Sequence, residues 1–249
     1  MKSPRAYGLR LTWLISYLLR RSEDARGLRR LGVLGRRSDI WEKLEWVTRE
    51  VAPRLRLPVD LNGYFREEDR EGGKLRGFPG GSIWEIEGIF LYGIARALRA
   101  TVIIETGTYR GCSTRHLRLA VSRNGAGRIY SVDLNPATST GFESDEWVTP
   151  VQSDSVVWLE ANPRLVRQCG LFFHDSDHSP EHVGREIRAV WPNLPPGAVA
   201  VCHDVCSPAH NPPTGSGTWS AFGDAVGGQA YRLDFHPLSD CGLGIARKS

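Results

Sequence analysis

Val102-Ile-Ile-Glu-Thr-Gly-Thr-Tyr-Arg-Gly-Cys-Ser113 decides the reading of this 249-residue chain. A short β-branched run ends in an acid, Glu105, and a glycine turn opens what reads as a helix. Glycine at 107 and 111 permits positive φ and close backbone approach, and the free N–H groups of the following helix end favour an anionic or polar ligand group. The spacing, acid-x-Gly-x-x-x-Gly, differs from the Gly-x-Gly-x-x-Gly of a dinucleotide pyrophosphate site. It suits a sulfonium nucleoside carrying a carboxylate better than a diphosphate.

Downstream, Arg128-Ile-Tyr-Ser-Val-Asp133 reads as a second strand with a carboxylate at its C-terminal end. In an open α/β sheet ligands lie outside the carboxyl ends of the strands, so Asp133 is placed to accept two ribose hydroxyls. A third βαβ unit follows, with Leu171-Phe-Phe-His-Asp-Ser-Asp-His178 and Ala198-Val-Ala-Val-Cys-His-Asp204 as its strand ends. Parallel strands joined by one crossover usually lie side by side, about 4.8 Å apart, which lets Asp175 and Asp204 share one cation. Side chains alternate along a strand, so His203 and Asp204 both face that site only if the strand has ended at them. Carboxylates with an imidazole suit Mg²⁺, Mn²⁺ or another first-row metal better than a thiolate zinc site does.

With these pieces in place, residues 82 to 247 resemble the class I S-adenosylmethionine-dependent methyltransferases. Glu105-Thr-Gly-Thr-Tyr-Arg-Gly-Cys-Ser-Thr114 is similar to the loop of small-molecule O-methyltransferases related to catechol O-methyltransferase. Asp175-Ser-Asp-His-Ser-Pro-Glu-His-Val183 is similar to the cephalosporin hydroxylase and rhamnosyl O-methyltransferase group. The resemblance implies a doubly wound, mostly parallel seven-stranded sheet with an N-terminal helical extension. It implies S-adenosylmethionine contacts from Glu105, Gly107, Tyr109, Gly111, Ser113, Asp133, Asp154, Ser155 and Asp175. In such families the first Asp and an acid pair after the next strand hold a divalent ion; here the corresponding group is Asp175, His203 and Asp204, with an imidazole where a carboxylate is expected.

Composition agrees with an enzyme domain: 41% hydrophobic residues supply a core, and five cysteines form no Cys-x-x-Cys. An odd number of thiols without a convincing export signal points to a cytoplasmic setting. Cys202 and Cys206 flank the metal candidate, with a buried strand thiol as their ordinary role. Charge is uneven, because residues 1-37 hold ten Lys or Arg against Glu23 and Asp24, a net of +8 in a chain whose total is +4. Within that arm, Leu11-Thr-Trp-Leu-Ile-Ser-Tyr-Leu-Leu19 is too short to span a bilayer. The arm either packs on the catalytic domain or a second subunit, or touches an anionic lipid surface. No nucleic-acid-binding module accompanies the basic residues.

The expected organisation is a basic arm at 1-37, a cap segment at 38-81 and a methyltransferase domain at 82-249. Asp39 reads as the cap of a helix from about 40 to 55 carrying Ile40, Leu44, Val47 and Val51. Residues 58-81, with six glycines from 63 to 81, read as an irregular connector, and Ser82 reads as the cap of the next apolar helix. Tyr64, Phe65 and Trp84 are candidates for substrate contact, although packing is their ordinary use. Glu146 to Gln152 reads as the third strand; Ser155 either meets the adenine or caps the following helix. A helix is expected from His178 to Trp191, and residues 230-235 and 243-247 form a terminal hairpin. Ser207 to Gly217 is a connector expected to be mobile and to close over the acceptor, with His210 a contact.

The expected reaction is O-methylation of a hydroxylated small molecule or sugar, with Asp175 and either His178 or His203 in catalytic roles. The rivals are metal-independent N- or carboxyl-methylation on the same scaffold, and a non-catalytic membrane-associated protein that keeps the nucleoside pocket.

Overall fold

The computed structural model describes residues 37–64, 66, 82–135, 144–213, 216–236 and 238–249. The basic arm apart from Arg37, together with Phe65 and most of the glycine-rich connector, lies outside the described residues. Helix α1 (Arg37–Trp46) continues into a π-helical turn, Val47–Val51, and Ile40, Leu44, Val47 and Val51 are buried as their spacing predicts. The helix starts two residues before Asp39, which therefore sits in its first turn instead of capping it. It ends short of residue 55 because Pro53 has no N–H to continue the ladder.

Helix α2 (Glu85–Leu98) starts later than the Ser82 cap predicts. Glu87, three residues past Trp84, turns back and accepts the Trp84 backbone N–H at 2.9 Å, which moves the helix start to Glu85. Strand β1 (Val102–Thr106) then leads through the glycine loop into α3 (Cys112–Asn124) and β2 (Arg128–Asp133). Next come β3 (Val148–Gln152), α4 (Ser155–Ala161), the single turn α5 (Pro163–Val166) and β4 (Cys169–His174). The chain continues through α6 (Pro180–Val190), β5 (Val199–His203), α7 (Thr218–Ala225), β6 (Tyr231–Leu233) and β7 (Leu243–Arg247). Helix α6 begins after Ser179, whose hydroxyl accepts the His182 N–H, because Pro180 suits a first helical turn.

The seven strands order as β3-β2-β1-β4-β5-β7-β6, with β7 antiparallel to both its neighbours. The terminal hairpin is thus inserted as expected, and β1 lies at the reversal of strand order where α/β sheets bind ligands. Period-2 alternation splits the core. Ile103, Leu171, Phe173, Val199 and Val201 pack in one cluster with α1, α2 and α3, whereas Ile104, Phe172, Ala200 and Cys202 pack in another with α4, α6 and α7. Among the described residues no helix is long and apolar enough to cross a membrane.

The α2–α3 contact is locked by a ring stack. Tyr64 lies 5.7 Å from the His116 ring at 8°, its hydroxyl 3.0 Å from Nδ1, and Tyr92 meets Tyr64 edge-on. Burial lowers the His116 pKa to about 3, so the ring is neutral and packs like an aromatic. Tyr64 is therefore a core residue, and Trp84 packs against the same cluster. A Cβ added at Gly88 would lie 2.3 Å from His116 Nε2. Gly88→Ala should cost about 1–3 kcal/mol by overpacking. Gly223→Ala in α7, where an added Cβ meets nothing within 4 Å, should gain about 0.5–1 kcal/mol. Urea unfolding of both variants checks the pair, and equal midpoints would remove the packing argument.

Candidate functional site

The loops after the parallel strands enclose a cleft of about 560 Å³, within the range of small-molecule pockets. Toward β2 and β3 its wall includes Gly107, Tyr109, Asp133, Ser153, Asp154 and Ser155. Gly107 takes φ 86, and a Cβ there would fall 2.0 Å from the Asp175 carbonyl oxygen, so only glycine lets the β1 and β4 ends meet. Asp133 accepts the Tyr109 N–H on Oδ2 and the Asn135 N–H on Oδ1, each at 2.8 Å. A carboxylate has roughly four acceptor positions, so two remain for hydroxyls in the cleft.

Asp154, not Ser155, caps α4 by accepting the Val157 N–H at 2.9 Å. Ser155 instead donates its hydroxyl to Glu186 of α6. Glu186 is fully buried and also accepts from Thr106 Oγ1, Ser176 Oγ, His174 Nδ1 and His182 Nε2, each at 2.7 Å. Burial opposes its charge, but the His174 imidazole and hydrogen bonds from His174, His182 and Ser155 hold it well below the usual carboxylate range. The hydrogen bond to Glu186 in turn raises the pKa of His182, which lines the cleft. His174 thus faces the packed helix α6 and not the cleft.

Toward β5 and β7 the cleft holds a cluster of ionisable groups. Register pairs His174 with Cys202, so Asp175 and His203 follow side by side on adjacent strands. β5 ends at His203, and Asp204 takes φ 59 in the left-handed region, costing about 1 kcal/mol or more for a non-glycine residue. That turn breaks strand alternation and brings both His203 and Asp204 into the site, the one condition under which both can face it. His203 Nδ1 is 2.8 Å from Asp175 Oδ1 and 3.6 Å from Asp204 Oδ2. His178 Nε2 lies 3.2 Å from Asp204 Oδ2 and 3.6 Å from Asp175 Oδ1. The His210 ring lies 4.8 Å from the His178 ring, tilted by 49°, with Nε2 3.7 Å from Asp204.

Burial works against charge on His203, yet Asp175, Asp204 and Glu87 raise its pKa well above the ordinary imidazole value. His178 is pushed down to about 3, first by burial and then by the neighbouring imidazoles, against the pull of Asp204. Burial raises Asp175 despite His203, while His203 and His178 overcome burial and lower Asp204. Hence His203 carries the proton and His178 is neutral. The connector after β5 contributes Ser207, Ala209 and His210 to the wall. It is held by Asn211, whose amide donates to the Asp204 and Ser207 carbonyls and whose Oδ1 accepts the Trp219 N–H.

Of the residues predicted for cofactor, metal or catalysis, Glu105, Gly111 and Ser113 lie behind the cleft wall and the others line it, whereas Tyr64 and Trp84, predicted to touch substrate, pack in or against the core. Four contributors escaped the sequence reading: Glu87, His182, Glu186 and Cys241. Glu87 had a signal, an acid followed directly by a long apolar helical run; His182 and Glu186 had i, i+4 spacing on one helix. Cys241 had none, since it reaches the site through the turn before β7.

Glu105 is buried completely, accepts the Thr114 and Ser131 hydroxyls at 2.6 Å, and is pushed by burial from 4.5 up to about 7. Its proton therefore favours the fold. That contribution is complete below about pH 4.5 and disappears as pH rises through about 7, a loss on the order of 3 kcal/mol. Glu105→Gln should flatten this fall in urea midpoints measured between pH 4 and 8.5. Parallel curves for the variant and the parent would assign the pH dependence elsewhere.

A family model described as a methyltransferase domain matches residues 104–205, from β1 to just past β5. No curated protein sequence matches the chain. An SAH-bound methyltransferase from Podospora anserina, PaMTH1, is 14% identical with a TM-score of 0.51, covering 100% of this chain and 98% of its own. An O-methyltransferase from Bacillus cereus in complex with SAH is 15% identical with a TM-score of 0.52, over 82% of this chain and 96% of its own. The O-methyltransferase TomG from Streptomyces achromogenes, involved in tomaymycin synthesis and in complex with SAM, is 18% identical with a TM-score of 0.51, over 84% and 99%. The matched segment and the strand order around it make residues 104–205 similar to a methyltransferase domain, and the likeness to these solved structures extends that fold over the rest of the sheet.

Proposed function

We propose that this chain methylates a hydroxyl oxygen of a small molecule or sugar, with a divalent cation at Asp175, His203 and Asp204. The observation that carries this reading is one cleft containing both the Asp133–Asp154 wall and the carboxylate–imidazole cluster. The donor set fits a cation. Two carboxylates face His203 Nδ1, which makes no hydrogen bond even though Asp175 lies at ion-pair distance. A cation held there would lower the pKa of the acceptor hydroxyl, and bound S-adenosylmethionine would supply an electrophilic methyl group.

The chain's own residues position and deprotonate. Asp133 holds the ribose, Ser153 and Asp154 border the adenine, and alignment of the two bound molecules supplies most of the acceleration. In the metal-independent variant of the reaction, His178 takes the acceptor proton. It is the neutral imidazole of the cluster, and the charge it gains lies 3.2 Å from Asp204. His203 already carries a proton. One observation favours a metal-independent variant of the reaction: protonated His203 itself supplies the positive charge that Asp175 and Asp204 need. The basic arm is a candidate for contact with a lipid surface or a second subunit.

Titration calorimetry should show S-adenosylmethionine and its demethylated product binding while NAD does not. Asp133→Ala should weaken binding by about 1.5–3 kcal/mol, the worth of a hydrogen bond to a charged group. Unchanged affinity in that variant would sink the nucleoside assignment. Chelator, and Asp204→Asn, should suppress turnover of a hydroxylated acceptor without unfolding the domain. Full turnover in excess chelator would select the metal-independent variant.

A further inference from the structure

The cluster at the ends of β4 and β5 is richer in nitrogen and sulfur than a magnesium site. One ligand atom each from Asp175, His178 and His203, an oxygen and two nitrogens, lies within 4.8 Å of the others, and the same spacing holds for a nitrogen of His203, an oxygen of Asp204 and the sulfur of Cys241. His210 stands against His178 at the open side. Magnesium is a hard ion that favours oxygen ligands and keeps several waters, whereas imidazole and thiolate suit zinc, cobalt, nickel and iron.

A second observation lies behind the cluster. His203 is only 3% exposed, and its Nδ1, aimed at Asp175 and Asp204, makes no hydrogen bond. Its other nitrogen, Nε2, is 3.0 Å from Glu87. Glu87 is fully buried on α2 and is itself fixed by the Ser239 hydroxyl at 2.5 Å and the Gly242 N–H at 2.9 Å. A carboxylate that accepts from Nε2–H leaves the lone pair of a neutral imidazole on Nδ1, facing the two aspartates. This is the carboxylate–histidine arrangement that orients a metal-ligating imidazole.

We propose that Asp175, His178, His203 and Asp204, with Cys241 in reach, form a site selective for a borderline first-row transition ion over Mg²⁺, and that Glu87 is the positioning residue for His203. The inference rests on the reading that this cluster holds a divalent cation, and it narrows the expectation of Mg²⁺, Mn²⁺ or another first-row metal to nitrogen-preferring ions. Bonds change only by ligation: His203 Nδ1 gives up its proton to solvent as the ion takes the lone pair.

The test uses full-length protein stripped with chelator and titrated separately with Co²⁺, Zn²⁺ and Mg²⁺ by calorimetry, with absorbance followed for Co²⁺. One Co²⁺ or Zn²⁺ should bind per chain at least about 100-fold more tightly than Mg²⁺, with visible cobalt bands. Glu87→Gln should weaken Co²⁺ binding about 10- to 100-fold while S-adenosylmethionine affinity holds. Should Glu87→Gln fail to fold, His178→Ala at the cleft wall takes its place and should weaken Co²⁺ binding and alter its spectrum. Cys241→Ser should remove any near-ultraviolet thiolate-to-cobalt band. Equal affinity for Mg²⁺ and Co²⁺ would overturn the selectivity. Co²⁺ affinity unchanged by Glu87→Gln would overturn the positioning role, and unchanged binding in His178→Ala would overturn the ligand set. Absence of all ion binding, with S-adenosylmethionine still bound, would overturn the cation site and leave the methyltransferase reading standing.

Discussion

The close approach of the β1 and β4 ends at Gly107 is the constraint on which the site depends. Asp175 donates its N–H to the Thr106 carbonyl at 2.9 Å, and its own carbonyl occupies the space a Cβ at residue 107 would need. Gly107 also donates to the Val132 carbonyl, which ties the loop to β2. Any side chain at 107 would push these strand ends apart. The Asp133 wall and the Asp175 cluster, held by different strands, would then no longer share one cleft.

Around that contact, buried charges are managed by two separate imidazole networks. Glu186 gathers five donors from β1, α4, α6 and the end of β4, and so ties the helices of one sheet face to the ends of the strands. On the other side, Glu87, Asp175 and Asp204 converge on His203, which is charged because three carboxylates outweigh its burial. Removing one member of such a group leaves an uncompensated buried charge, a larger loss than the pair's net worth. The first network serves the fold and borders the Asp133–Asp154 wall through His182, while the second lines the opposite end of the cleft.

The loop after β5 joins these parts. Asn211 pins it to the Asp204 carbonyl, and Thr218 at the start of α7 donates to the His178 carbonyl. Two histidines from different connectors, His178 and His210, are thereby brought together beside Asp204. The left-handed backbone at Asp204 lets a strand end and a loop contribute to one cluster.

The sequence by itself determined the sheet and most of the cleft wall. β-branched runs that end in acids, glycines at 107 and 111, and the turn before residues 243–247 are local signals, readable because strand period and turn chemistry act within a few residues. Helix starts were less legible. Asp39, Ser82 and Ser155 all have capping chemistry, yet the caps that formed depend on which neighbour reaches the free N–H first, as Glu87 and Asp154 do. Only the tertiary structure decided the rest. Glu87 meets His203 across 116 residues and Cys241 arrives through a turn, pairings that no spacing encodes because they arise when α2 and β7 pack against β5. It also decided that Glu105 supports the loop from beneath, since burial, and not its place in a motif, sets what a carboxylate can touch.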